Sequence, residues 1–232
     1  VVTVEQILDS SDGAVGAIMD TRIMTIDMGD SGTLTFSGTG GSSVLDAIDD
    51  VTPKAGLEES WDIISGADIL PGGTGGDDMF TYDNSSLMDG LTLSASYTPS
   101  DGTSEVESSS DYGLKYTGIE GLTIGAGAGE DNSAAASIDL TNMYVTYTMD
   151  AFSVGYQASE ADSETANADK DFQAIGLSYA VSEDLSVSIN SSTIEFENSS
   201  LSDQEATGFG ISYTMGSMTL AGTHNSVDNV AG

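Results

Sequence analysis

The sequence predicts an all-β protein: antiparallel strands that cross a membrane as a closed barrel, with one long loop folded inward. Three observations predict it. Apolar residues alternate with small or hydroxylated ones, a short strand motif recurs at near-constant spacing, and compact turns alternate with long acidic loops. Composition agrees, because 28 glycines, 3 prolines and abundant Ser and Thr in 232 residues describe many turns and few helices. Four Lys and Arg against 38 Asp and Glu give a formal charge of −34. A polyanion of this kind repels phosphates, so no nucleic-acid partner is expected. At 38% hydrophobic residues the chain is too apolar for an acidic disordered tail.

The recurring motif is an aliphatic or aromatic residue, then Thr or Ser, then an aliphatic residue, directly after a compact turn. It appears at Leu91-Thr92-Leu93, Leu122-Thr123-Ile124, Phe152-Ser153-Val154, Leu185-Ser186-Val187 and Met218-Thr219-Leu220, with starts 31, 30, 33 and 33 residues apart. Strands such as Tyr112 to Tyr116, Ile175 to Tyr179 and Phe209 to Tyr213 run into each turn, so the unit is a β-hairpin. The far ends are joined by acidic segments: Pro99 to Asp111, Gly129 to Asp139, Ser159 to Asp171 and Asn198 to Glu205. Acids are thereby expected in turns and loops, with the strands clear of charge.

Tyr116, Tyr147, Tyr179 and Tyr213 each precede the return strand by five or six residues, which puts them at one height beside the short turns. Tyrosine at one level suits a membrane–water interface, where the ring is buried and the hydroxyl stays wet.

The non-apolar strand face is Gly, Ser, Thr and Ala with hardly any Lys, Glu or Arg. That is a poor exterior for a soluble polyanion and a suitable lumen. Lipid admits only helices or closed barrels, and no run approaches the roughly 20 apolar residues of a membrane helix.

The earlier chain follows the same rule, with Met24, Ile26 and Met28 alternating and Gly29 to Gly32 turning into Leu34-Thr35-Phe36. Between that copy and Leu91 lies a surplus, residues 38–78. Its start, Ser42 to Val51, places Val44, Ile48 and Val51 on one helical face and stops before Pro53, which predicts a short helix. Trp61 and the Pro71 to Gly76 stretch follow.

Gly32-Thr33-Leu34-Thr35-Phe36-Ser37-Gly38, followed by Gly40 to Asp50, resembles the fifth strand and long third loop of Gram-negative general diffusion porins of the alphaproteobacterial type. Hairpins such as Ile211 to Leu220 add to the resemblance, which covers nearly the whole chain. It implies a trimer of barrels of about 16 strands in the bacterial outer membrane, in contact with lipid and lipopolysaccharide. In that family the long loop forms an acidic constriction opposite a basic wall.

Carried over, Asp46, Asp49 and Asp50 match the acidic loop, with Glu58, Glu59, Asp62 and Asp68 as further members. Lys115, which shares its parity with lumen-facing Gly113, is the cationic candidate; Arg22 lies at a strand end, Lys54 in the long loop and Lys170 in an outer loop. Roughly 12 strands are counted against the implied number, so residues 1–232 read as a single barrel domain incomplete at both ends.

The function that follows is passive diffusion of small hydrophilic solutes and ions, with cations preferred because throat carboxylates concentrate them. No enzyme is expected. His224 is the only histidine and cysteine is absent, so neither a histidine-centred triad nor a thiolate site can be built. His224 reads as a strand-end residue near the aqueous boundary. No cofactor is expected; the outer loops carry carboxylates of the kind Ca²⁺ or Mg²⁺ accepts, but none has a complete EF-hand pattern, and a solvated rim is the simpler reading. The alternative from another class is a secreted acidic adhesin or surface-layer β-protein. It accounts for the charge and the hydroxylated strands, but not for the alternation of turn lengths.

Overall fold

The computed structural model describes residues 1–8, 19–56, 77–100, 102, 107–134 and 136–230. Its strands are β1 (Val2–Leu8), β2 (Met19–Asp27), β3 (Thr33–Ser37), β4 (Met79–Met88), β5 (Leu91–Thr98), β6 (Ser109–Ile119), β7 (Leu122–Asp131), β8 (Ile138–Met149), β9 (Phe152–Ser163), β10 (Lys170–Ala180), β11 (Leu185–Phe196), β12 (Gln204–Met215) and β13 (Met218–Asp228). They form one 13-stranded antiparallel sheet in which each strand pairs with its neighbours in sequence. The meander follows from the repeat, since every short turn returns the chain beside the strand it has just left.

The turns also lock successive hairpins together. Gly121, at φ +74°, has a neighbour that no side chain could share, because an added Cβ would lie 2.2 Å from the Thr148 carbonyl oxygen. That closeness lets the Thr148 N–H donate to the Gly121 carbonyl at 2.8 Å.

Side-chain parity separates two faces. On one, Val154, Leu177, Ile189 and Ile211 are 41%, 40%, 58% and 42% exposed, far more than a soluble core would allow. The other carries Gly, Ser, Thr, Asn and Gln, and against it lies the segment after β3. We call this loop-bearing face the inner face. Among the described residues two small apolar clusters sit on it, Phe172–Ala174–Ile194 and Leu45–Leu140–Ala161. The apolar side chains therefore point away from the loop rather than into a dry centre.

Three differences from the sequence reading have physical causes. β1 is an additional strand, paired from Val2↔Ile26 onward; its apolar alternation over Val2 and Val4 is interrupted at Gln6. The strands also run further than the apolar pattern. A 12-residue strand such as β8 is about 40 Å long and rises about 30 Å at barrel-like tilt, beyond an apolar band of about 25 Å. Asp111, Asp131, Asp139, Glu160, Asp162, Asp171, Glu195, Glu205 and Asp228 consequently belong to strand ends, not to loops, and Lys170 opens β10. Finally, the helix expected over Ser42 to Val51 is a single 3₁₀ turn, Asp46–Ile48. The Ala47 and Ile48 N–H groups bond back to the Ser43 and Leu45 carbonyls, but the backbone groups on either side bond to the sheet.

Candidate functional site: the inward loop and its wall

β3 and β4 are directly paired, with Ser37 opposite Met79, so residues 38–78 leave and re-enter the sheet at one place. Arg22 ties this neck. Its guanidinium donates to the Gly38 carbonyl at 2.6 Å and lies 3.9 Å from the Asp78 carboxylate. Gly38 leaves room for it, as an added Cβ there would meet Arg22 atoms at 3.0 and 3.1 Å. Across the same neck, the Gly40 N–H donates to Asp77 at 3.1 Å. Arg22 is thus a loop tie on the outer parity rather than part of a basic inner wall.

Beyond the neck the loop crosses the inner face. The Val44 N–H donates to Ser96 Oγ at 3.0 Å, and Ser96 donates onward to Asp111 at 3.3 Å. Asp111 is fully buried and also accepts from the Ser43 hydroxyl and the Leu45 backbone N–H. Further along, Asn142 Nδ2 donates to the Ile48 carbonyl at 2.7 Å. Gln157 reads the backbone on both sides, donating to the Asp49 carbonyl at 2.5 Å and accepting from the Val51 N–H at 3.2 Å. The Ala55 N–H donates to Ser188 Oγ at 2.9 Å. From Val44 to Val51 these bonds satisfy backbone groups that a longer helix would have paired.

The apolar side of the loop fits inner-face glycines. An added Cβ would lie 2.5 Å from Val44 at Gly113, 2.6 Å from Leu45 at Gly127, and 2.5 Å from Pro53 at Gly155. At Gly176 it would lie 2.9 Å from Thr52. Glycine is here the residue that lets a loop lie flat on a strand. The sequence shows these glycines alternating with apolar residues, but not what occupies the space above them.

The candidate charges separate by environment. Asp46 accepts from Ser42 Oγ and is half-buried. Asp49 is half-buried and has its carbonyl held by Gln157. Asp50 forms an ion pair with Lys54, Nζ to Oδ2 at 2.6 Å, so the loop supplies part of its own counter-charge. Glu58, Glu59, Asp62 and Asp68 lie outside the described residues. Lys115 is exposed on the inner face and, with Asp83 and Ser94, lines a cleft of about 310 Å³ whose other side is Val44, Ile48 and Val51 of the loop. Sequence reasoning missed Asp111, Asn142, Gln157 and Ser188, since no motif marks a side chain whose partner is a distant backbone.

Tyr116, Tyr147, Tyr179 and Tyr213 all take the outer parity near the short turns, opposite Leu91, Leu122, Phe152 and Leu185. Tyr147 and Tyr213 are exposed, and Tyr179 packs on Phe152 with ring centroids 4.4 Å apart. His224 lies within β13, not at its end; it faces outward opposite Phe209, at the level where outward residues change from apolar to Thr207 and Ser226. Among the described residues no three His, Cys, Asp or Glu side chains form a group able to hold a metal ion.

Comparison with known proteins follows this geometry. Residues 9–232 match the family described as Gram-negative porin. Among curated protein sequences, none matches the chain. Solved structures with the same fold include OmpF of Salmonella typhi in complex with daunomycin, at 12% identity and TM-score 0.65, covering 89% of this chain and 70% of that one. A mutant of the Rh. blastica porin matches at 14% identity and TM-score 0.65, covering 97% of this chain and 78% of that one. OmpT of Vibrio cholerae in its trimer form matches at 15% identity and TM-score 0.63, covering 90% and 70%.

Proposed function

The chain belongs to the Gram-negative porin family, whose members are proteins of the bacterial outer membrane, and from that premise we propose that it is a passive, cation-preferring channel for small hydrophilic solutes and ions. One observation carries the reading: a loop bearing Asp46, Asp49 and Asp50 is bonded across the glycine-rich inner face of the sheet. A loop held there narrows a water-filled passage. It performs no covalent chemistry.

Carboxylates on it raise the local cation concentration and oppose anions, and salt weakens the effect. Lys115 and Lys54 temper it. In this reading Glu58, Glu59, Asp62 and Asp68 extend the acidic constriction. The tyrosine level at the short turns anchors the protein at the periplasmic interface, and lipopolysaccharide and lipid cover the outer face. A homotrimer is the proposed assembly, as in the trimeric Vibrio cholerae structure. A secreted adhesin does not fit a member of this family.

Reversal potential across a planar bilayer under a KCl gradient tests the selectivity. Cation preference is expected, reduced in a D46N/D49N/D50N variant; a chloride-selective channel would reject the proposal.

A further inference from the structure

The inner face has two chemically different halves. From β2 to β7 the residues on the inner parity include Asp27, Asp83, Asp111, Lys115 and Asp131. From β8 to β13 the only charged residue on that parity is Lys170, at the loop-side end of β10. Those strands do not lack acids. Asp139, Glu160, Asp162, Asp171, Glu195, Glu205 and Asp228 all take the opposite parity, so in a chain of net charge −34 charge is kept off this wall.

Below the apolar cluster of Phe172, Ala174 and Ile194, what occupies it is neutral and largely able to hydrogen-bond. Paired in register across β8 to β13 is the row Thr148, Ser153, Ser178, Ser188, Gly210 and Thr223. In the adjacent row, Asn190 and Asn225 flank Gly208, which places no side chain between them.

This second row has unused hydrogen-bonding capacity. Asn190 is 3% exposed, yet neither its Nδ2 nor its Oδ1 has a partner, and Asn225 Oδ1 has none. Thr52 Oγ1 of the loop is also buried and unpartnered. It lies over Gly176, the residue directly opposite Asn190. Buried amides are normally bonded, and leaving one unsatisfied is costly. Asn190 leaves a donor and an acceptor unused, Asn225 and Thr52 an oxygen each, and neither row of the wall carries a charged side chain.

We infer that the β10–β13 wall beside Thr52 is a saturable site for an uncharged polyhydroxylated solute, a sugar or polyol. Hydroxyl groups donate and accept at once, which is what an unpaired amide requires. A neutral solute reaches this wall without the desolvation penalty an ion would meet. Ions and neutral solutes then favour different sides of one passage, the former beside Lys115, Asp83 and Asp46. The inference rests on the channel reading above.

The test is single-channel current from the full chain in a planar bilayer, titrated with maltose. Saturable reduction of current with added fluctuations is expected. Asn190→Ala and, separately, Asn225→Ala should raise the half-saturating concentration about tenfold, equivalent to about 1.4 kcal/mol. Lys115→Gln should shift the reversal potential and leave the maltose response in place. Heat-dependent gel migration verifies that each variant folds.

A current that falls only in proportion to solution viscosity overturns the inference while leaving the channel intact, and would mean that water alone fills these groups. So does an unchanged maltose response in both folded Asn variants. No conductance at all would reject the channel reading, and the inference with it.

Discussion

The loop is held at two places by opposite strategies. At Ser43 to Leu45 its bonds converge on Asp111 and the Ser96 that donates to it. From Ile48 to Ala55 they are spread over Asn142, Gln157 and Ser188, each a neutral side chain on a different strand. A concentrated anchor fails as a unit, whereas a distributed one yields bond by bond. The lesson is that the narrow part of the passage is positioned by the wall more than by the loop's own secondary structure.

Asp111→Ala should break the contrast most strongly. It leaves the Ser43 and Ser96 hydroxyls and the Leu45 N–H without their shared acceptor, and about 3 kcal/mol of stability should be lost. The unfolding temperature of the detergent-solubilised protein measures this, and Asp111→Asn should restore part of it. Gly155→Val acts at the other anchor by overpacking. Its side chain would displace Pro53, costing about 1–3 kcal/mol and altering single-channel conductance.

Gln157→Ala removes two bonds from the distributed set and should cost about 1–2 kcal/mol, read as faster hydrogen exchange at the Val51 amide. Lys54→Gln acts on the ion pair. The Lys54 ammonium is partly exposed but the Asp50 carboxylate is only 9% exposed, so losing the cation leaves a desolvated anion and should cost about 1–2 kcal/mol. The reversal potential should also move toward stronger cation preference.

The hairpins were legible because period-2 alternation and compact turns are local signals. The same locality explains what was not. Asp111 reads as the last residue of an acidic loop, and only its pairing with Ser96 on one side and Gly129 on the other puts it on a strand. The 3₁₀ turn at Asp46–Ile48 replaces a helix because Gln157, distant in sequence, captures the backbone on either side of Asp50. Gly113 and Gly155 look like ordinary small residues of a lumen until Val44 and Pro53 are seen above them. Parity correctly placed Lys115 on the inner side, yet could not show that Lys54 pairs with Asp50. Glu58, Glu59, Asp62 and Asp68 belong to the candidate constriction by sequence alone.

The tie made by Arg22 has a bearing on how such a protein can change. Because strands β3 and β4 are neighbours and Arg22 clasps Gly38 and Asp78 at the base, everything in between is an insertion with a fixed doorway. Doubling the length of a flexible insertion adds only about 0.6 kcal/mol to its closure. Evolution, or an engineer, is then free to exchange this segment as a cassette, retuning what passes while the surrounding scaffold keeps its register.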